Sequence, residues 1–234
     1  MKKKKKNWFF PLIIVGTLVI LTAGCEKGSN NDDDDSGPKI TDIDGNEYKI
    51  VTIGSQIWMA GNLKTTKYSN GDPIPNVTNV TEWSALSTGA YANYGNDANN
   101  GKTYGRLYNW YAVTDSRNIC PTGWHVPSHA EWTTLAASLG GESQAGGKLK
   151  EEGTTNWSSP NTGATDESNF KALPGGIRGV GGAYSNKGDY GYFWTVTANS
   201  SYYAWYRYLY YMGAEITSSS EDKRSGLSVR CIKD

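Results

Sequence analysis

The clearest periodicity lies mid-chain. Gly123 to Val126 is a short extended run that Pro127 closes. Ser128, with Glu131 three residues on, then sets up a capping box in which each side chain satisfies an amide that a new helix leaves unpaired. Trp132, Leu135 and Leu139 recur on one helical face and Gly140-Gly141 stops the run, so the spacing predicts an amphipathic helix of about three turns from Ser128. Upstream, Ile40-Thr41-Asp42-Ile43 and residues 48–53 flank Asp44-Gly45-Asn46, and Gln56-Ile57-Trp58-Met59 follows Gly54-Ser55, the signature of an antiparallel meander. Residues 64–103 carry loop signals such as Asn70-Gly71-Asp72-Pro73 and Asn99-Asn100-Gly101, pinned by Trp83, Tyr91 and Tyr94. Residues 107–113 fit helix or strand, with Leu107, Trp110 and Tyr111 favouring a short helix face. Beyond the Ser128 helix, the polar, glycine-rich stretch to Asn169 reads as loop. Three strands are then expected around residues 190–197, 202–212 and 226–232.

With 234 residues, the chain is long enough for one core plus dispensable ends. Its 28 Gly, 16 Tyr and 9 Trp suggest a turn-rich domain packed by aromatic side chains. The formal charge is zero, but five basic residues sit at Lys2 to Lys6, ahead of an apolar run from Trp8 to Leu21 and the small residues Thr22-Ala23-Gly24. This is the layout of a bacterial export signal over residues 1–24. Removing it leaves 18 basic against 23 acidic residues, a net of −5, which gives no reason to expect nucleic acid as a partner.

Thr22-Ala23-Gly24-Cys25 resembles the lipobox of bacterial lipoproteins, with Leu21 one position further out than the usual leucine. That resemblance implies acylation of Cys25 and attachment to a membrane through lipid, each buried methylene contributing about 0.8 kcal/mol. A simple secreted protein and a retained transmembrane anchor are the alternatives. Residues 25–39 read as an acidic flexible tether, because Asn30 to Pro38, including Asp32 to Asp35, offer no apolar side chain able to offset ordering and their like charges repel. An acidic run after a lipidated cysteine is similar to the surface-export signal of Bacteroidetes lipoproteins, which implies the outer membrane and an outward-facing domain.

The most unusual composition is residues 202–211, Tyr-Tyr-Ala-Trp-Tyr-Arg-Tyr-Leu-Tyr-Tyr. In strand geometry Tyr203, Trp205, Arg207, Leu209 and Tyr211 face one way, and Tyr202, Ala204, Tyr206, Tyr208 and Tyr210 the other. Such a face is either core with cross-strand packing or a platform for glycan or protein. Tyr202, Tyr206, Tyr208, Tyr210 and Arg207 are the candidate ligand-binding residues, with Asn186, Asp189, Asn199, Glu215 and Glu221 as nearby polar groups. Catalytic candidates are few. His125 and His129 stand four apart, but Pro127 separates a strand from a helix between them, so a packed His125 and a solvent-side His129 are expected rather than a zinc pair. Glu151-Glu152 and Asp166-Glu167 are carboxylate pairs on loops without a spacing that fixes a glycosidase cleft. Gly179-Val180-Gly181-Gly182 lacks the Lys-Ser/Thr of a phosphate loop.

Five blocks in order carry a family resemblance: residues 104–113, Cys120-Pro121-Thr122-Gly123-Trp124-His125-Val126-Pro127 with Glu131-Trp132, Leu173-Pro174-Gly175-Gly176 with Arg178, residues 188–195 with Ala204-Trp205-Tyr206-Arg207, and Ser228-Val229-Arg230-Cys231. Over residues 40–234 the chain resembles the Fibrobacter succinogenes major paralogous domain, found in secreted bacterial proteins. The resemblance implies an α+β fold of C-type lectin-like type: twisted antiparallel strands, two short helices and long Gly/Asn-rich loops, with the first and last strands adjacent. The residue 123–132 block and Val229-Arg230-Cys231 are more distantly similar to the formylglycine-generating enzyme group. That chemistry needs two redox-active cysteines near the C-terminal end, where this chain has only Cys231, so no enzyme activity is expected. Calcium is the cofactor question a lectin-like fold raises. The Glu-Pro-Asn, Gln-Pro-Asp and Trp-Asn-Asp motifs are missing, and Asp97-Ala98-Asn99-Asn100-Gly101 lacks EF-hand spacing, so no cofactor or metal is assigned. With Cys25 acylated, Cys120 and Cys231 remain in an exported chain, and the lectin-like fold implies that they meet in a disulfide. Two separate buried thiols are the alternative. The expected function is a surface-tethered, non-catalytic module for glycan or cell-surface protein. The alternative is a structural envelope protein without a soluble ligand.

Overall fold

The computed structural model describes residues 1–2 and 37–234. The export signal, Cys25 and the acidic run of the tether lie outside the described residues. The folded unit begins with β1 (Lys39–Thr41), β2 (Glu47–Ile53) and β3 (Gln56–Met59), the expected meander. Its first turn closes on Asp42, whose carboxylate accepts the amides of Asp44 and Asn46 at 3.0 and 2.9 Å and the Tyr48 hydroxyl at 2.6 Å. There follow α1 (Val80–Ser84), β4 (Tyr91–Ala92), α2 (Ala98–Tyr104), β5 (Leu107–Tyr108), α3 (Trp110–Val113), β6 (Trp124–His125), α4 (His129–Ser138) and α5 (Glu142–Leu149). The C-terminal part holds β7 (Ile177–Arg178), β8 (Tyr184–Ser185), β9 (Tyr190–Ala198), β10 (Tyr203–Tyr210), β11 (Ile216–Asp222) and β12 (Ile232–Lys233). Short helices with antiparallel sheets make the fold α+β, as expected.

The two ends of the folded unit share one sheet, of order β1-β2-β3-β12-β6, in which Ile232 pairs with both Trp58 and His125. A second sheet has the order β11-β10-β9. It separates two clusters because strand side chains alternate. Phe193, Leu209 and Ile216 pack with Trp58, Trp132, Leu135, Leu149 and Phe170 on the side of α4 and α5. Tyr192, Trp194 and Ala204 face the opposite way, toward Tyr108, Leu227, Val229, Cys120 and Cys231. Cys120 and Cys231 are joined by a disulfide that spans 111 residues and lies within this second cluster.

Helix α4 forms as its sequence predicts. Ser128 accepts the amide of Glu131 at 3.2 Å, the Glu131 carboxylate accepts the amide of Ser128 at 2.7 Å, and Trp132 and Leu135 are buried. Residues 107–113 resolve into both alternatives: β5 ends at Tyr108, and the side chain of Asn109 then accepts the Ala112 amide at 3.1 Å and so caps α3. Three expectations need correction. The strand after the tyrosine strand is residues 216–222, which the sequence pattern does not predict to form one, while the strand expected around 226–232 is reduced to isolated bridges and Ile232–Lys233. The 226–232 run threads between sheets, bridging Tyr108 through Leu227, Phe193 through Ser228 and Trp58 through Ile232. Residues 142–149 of the stretch read as loop form α5, and the supposed loop 64–103 contains α1 and α2. In place of the two helices implied by resemblance there are five among the described residues.

Candidate functional site

The candidate surface is built by register. Along β10, Tyr206, Tyr208 and Tyr210 lie opposite Trp194, Tyr192 and Tyr190 of β9, while Tyr206 and Tyr208 lie opposite Ser219 and Thr217 of β11. All six aromatic side chains thus project from one face. The Tyr190 ring stacks on Tyr210 at 4.5 Å and on Tyr192 at 5.3 Å, and Tyr192 meets Tyr206 edge-on at 5.7 Å. Tyr206 and Tyr208 are 6.0 Å apart. Contacts of this kind favour fixed ring positions beyond simple area burial.

The face is divided. Trp194 and Tyr192 are buried in the cluster around Tyr108 and Leu227, whereas Tyr190, Tyr206, Tyr208 and Tyr210 are half-buried. Core packing therefore accounts for Trp194 and Tyr192, while Tyr190, Tyr206, Tyr208 and Tyr210 keep part of their surface in solvent. Burial raises the pKa values of Tyr192 and Tyr206, so both hydroxyls remain protonated donors at neutral pH. Asn186 donates to the Tyr192 hydroxyl at 2.9 Å, and Tyr210 donates to the Met212 thioether at 3.1 Å. Tyr202 precedes the strand at the hairpin tip, 74% exposed.

Arg207 is on the other face of the sheet. Its side chain is 1% exposed, and its guanidinium donates to Glu142 at 2.5 Å and to Thr133 at 2.6 Å. A ligand on the tyrosine face has no access to it. Of the polar neighbours, Glu221 accepts the Ser225 hydroxyl at 3.1 Å, the Asp189 carbonyl accepts the Tyr211 amide across the strands at 3.0 Å, and the Asn199 amide donates to the Tyr203 carbonyl in the hairpin at 2.9 Å.

The histidines do not sit as the sequence suggests. His129 is tucked against Trp205 at 5.0 Å with Arg207 at 3.4 Å, and burial followed by that cation lowers its pKa. His125, instead of being packed away, is 40% exposed and links Glu131 at 2.9 Å to Asp234 at 2.7 Å. Burial alone would lower its pKa, but the bonds to Asp234 and Glu131 prevail and raise it. Asp97 caps α2 by accepting the Asn99 amide at 2.8 Å. The glycine run 179–182 is the turn of the β7–β8 hairpin.

One convergence is invisible in the sequence. Glu151, Glu152 and Asp166 line a single cavity of about 460 Å³ with Thr155, Thr165, Asn169 and Lys171. Burial pushes the Asp166 carboxyl up to about 6. Glu167 turns away to pair with Lys148 at 2.9 Å, so one of the two loop carboxylate pairs is split. Among the described residues no three His, Cys, Asp or Glu side chains are grouped to hold a metal ion.

Among known sequence families, the model of the Fibrobacter succinogenes major domain matches residues 51–233, more than half of the chain. No curated protein and no solved structure matches.

Proposed function

The chain belongs to the Fibrobacter succinogenes major domain family, and on that premise we propose that it is a non-catalytic binding module tethered to the outside of a bacterial outer membrane by lipid on Cys25. Its ligand is a glycan or a cell-surface protein, held on the open half of the tyrosine face. The observation that carries this reading is the array of Tyr190, Tyr206, Tyr208 and Tyr210, half-buried and in mutual ring contact beside Thr217 and Ser219. Rings held by their neighbours offer apolar area at little further entropy cost, and the adjacent hydroxyls suit the mixed C–H and O–H surface of sugars. The export signal, the lipobox-like Cys25 and the acidic tether support the location. A lectin-like ancestry is supported by the shared sheet that places β12 between β3 and β6.

Purified residues 37–234 contain both larger sheets, both main clusters and the disulfide, and suit glycan and extracellular-matrix arrays. We expect binding that is lost when Tyr206, Tyr208 and Tyr210 become Ala together. An empty array, or binding that the triple variant keeps, would reject the tyrosine face as the site. The envelope-assembly alternative has one observation in its favour. Strand β11 is an edge strand of the second sheet, and such edges admit strand addition by another chain. Crosslinking on intact cells distinguishes it by returning a protein partner while the arrays stay empty.

A further inference from the structure

A second recess lies away from the tyrosine sheet, between the loop that follows β3 and the segment that follows α3. Its volume is about 410 Å³, within the roughly 300–1,000 Å³ usual for small-molecule sites. One wall is a preassembled polar array. The Arg117 guanidinium lies 4.0 Å over the Tyr68 ring, donates to both carboxylate oxygens of Asp115 at 2.8 Å, and reaches Asp72 at 3.2 Å. Asp72 is held in turn by Asn70 at 3.0 Å. The Arg117 backbone amide donates to the same Asp115 oxygen as Nε, at 3.0 Å, so the pairing leaves N–H groups on the guanidinium and one acceptor position on the second Asp115 oxygen.

The remaining walls are of different character. Pro73 and Pro75 give rigid apolar surface, Tyr111 is half-buried, and Ser87 and Thr88 are exposed hydroxyl residues. Gly89 forms the floor, where an added Cβ would sit 2.0 Å from the Tyr68 hydroxyl and 3.0 Å from the Ala112 backbone. Tyr68 and Ala112 are buried and do not line the recess, so the glycine lets this wall pack directly on the core behind it. Asn109 holds this wall by bonding the Thr88 carbonyl at 2.8 Å and the Ala90 amide at 3.0 Å. Asp115 lines the recess and Asp72 lies behind Arg117, so two carboxylates oppose one guanidinium in a net negative cluster unfavourable to an acidic ligand.

We infer that this recess binds one neutral pyranose residue of a glycan, with its C–H face toward Tyr111 and the prolines and adjacent hydroxyls bridging Asp115 and Arg117. The donor–acceptor pair of Asp115 and Arg117 matches vicinal hydroxyls, each of which both gives and takes a hydrogen bond. The Ser87 and Thr88 hydroxyls serve a third. This site is separate from the tyrosine face and does not depend on it.

The test is saturation-transfer NMR on the full chain in a non-glycosidic detergent, with neutral methyl pyranosides and glucuronic acid as probes at millimolar concentration. It is run in the wild type and in the Tyr206, Tyr208, Tyr210 triple Ala background, so that the two sites are read apart. Transfer to a neutral pyranoside should persist in the triple variant. It should weaken at least about tenfold with Ser87→Trp, which fills the recess from an exposed position, and with Tyr111→Ala. Far-ultraviolet circular dichroism confirms that each variant is folded. No transfer from any neutral pyranoside, transfer from the uronic acid alone, or equal signals in wild type, Ser87→Trp and Tyr111→Ala would each overturn the inference. Signal lost in the triple variant but kept in Ser87→Trp would assign the sugar to the tyrosine face and overturn this recess while upholding the earlier reading.

Discussion

Several cations are fully buried here, and most of their partners are backbone carbonyls. Arg230 donates to the carbonyls of Met59, Phe170 and Lys171 and to Asn62, Lys150 to those of Thr162, Tyr210 and Gly213, and Arg178 to those of Val77, Thr78 and Asn79. Buried charge is tolerated only when its donors are satisfied, and loops without ladders supply the carbonyls, so each cation fixes irregular chain that would otherwise be loosely held. Asp166 is a cost rather than a support. Burial raises its carboxyl to about 6 against 3.8 in the unfolded chain. Between those values the folded state binds more protons than the unfolded state, so stability falls as pH rises from about 4 to about 6 and stays lower above. Asp166→Asn removes the charge, keeps an acceptor for the Lys171 amide and suits the positive φ of 46°. The variant should melt at a higher temperature than wild type at pH 7, with the gain gone near pH 3, where the Asp166 carboxyl of wild type is largely protonated in the folded and the unfolded state alike. A lower melting temperature at pH 7, or a gain independent of pH, would show that the charged form is not penalised.

At the scale of elements, α5 packs through missing side chains. A Cβ on Gly146 would lie 2.0 Å from the Glu215 carbonyl oxygen, and one on Gly147 would lie 2.2 Å from that of Gly163. Ala favours an isolated helix over Gly by about 1 kcal/mol, yet Gly146→Ala should destabilise the protein by about 2 kcal/mol in denaturant titration, because the helix must retreat from backbone. A neutral or stabilising result would mean that α5 does not press on the start of β11. The same contact explains what the sequence hides. Helix α4 was readable because its determinants, Ser128, Glu131, Trp132 and Leu135, lie within three turns. In Glu-Ser-Gln-Ala-Gly-Gly-Lys-Leu the two glycines look like a breaker, and only the distant carbonyls make them packing residues. Strand β11, Ile-Thr-Ser-Ser-Ser-Glu-Asp, has a single apolar side chain and is a strand because β10 pairs with it. The face assignment of the tyrosine strand held, since period two is local. That Tyr192 and Trp194 sink into the core while Tyr206 and Tyr208 stay half-open depends on the 226–229 crossing, which no local pattern announces.

Across the folded unit, one sheet acts as a wall between two clusters, and the disulfide ties the chain's last strand to the loop ahead of β6. Closing a loop of ~100 residues is worth about 4.7 kcal/mol in the chain-entropy model. That constraint fixes the 226–232 run, on which the buried half of the tyrosine face rests. The open half is thus a surface on a rigid base, and its side chains are expected to contribute more to binding than to folding. The most direct measurement takes ligand affinity and unfolding free energy on the same samples of wild type, Tyr208→Ala and Trp194→Ala, using the strongest binder found on the arrays. The account predicts that Tyr208→Ala weakens affinity at least about tenfold while losing less than half the stability lost by Trp194→Ala, itself about 3–5 kcal/mol. Unchanged affinity in Tyr208→Ala, or a stability loss equal to that of Trp194→Ala, would contradict it and return the whole face to the core.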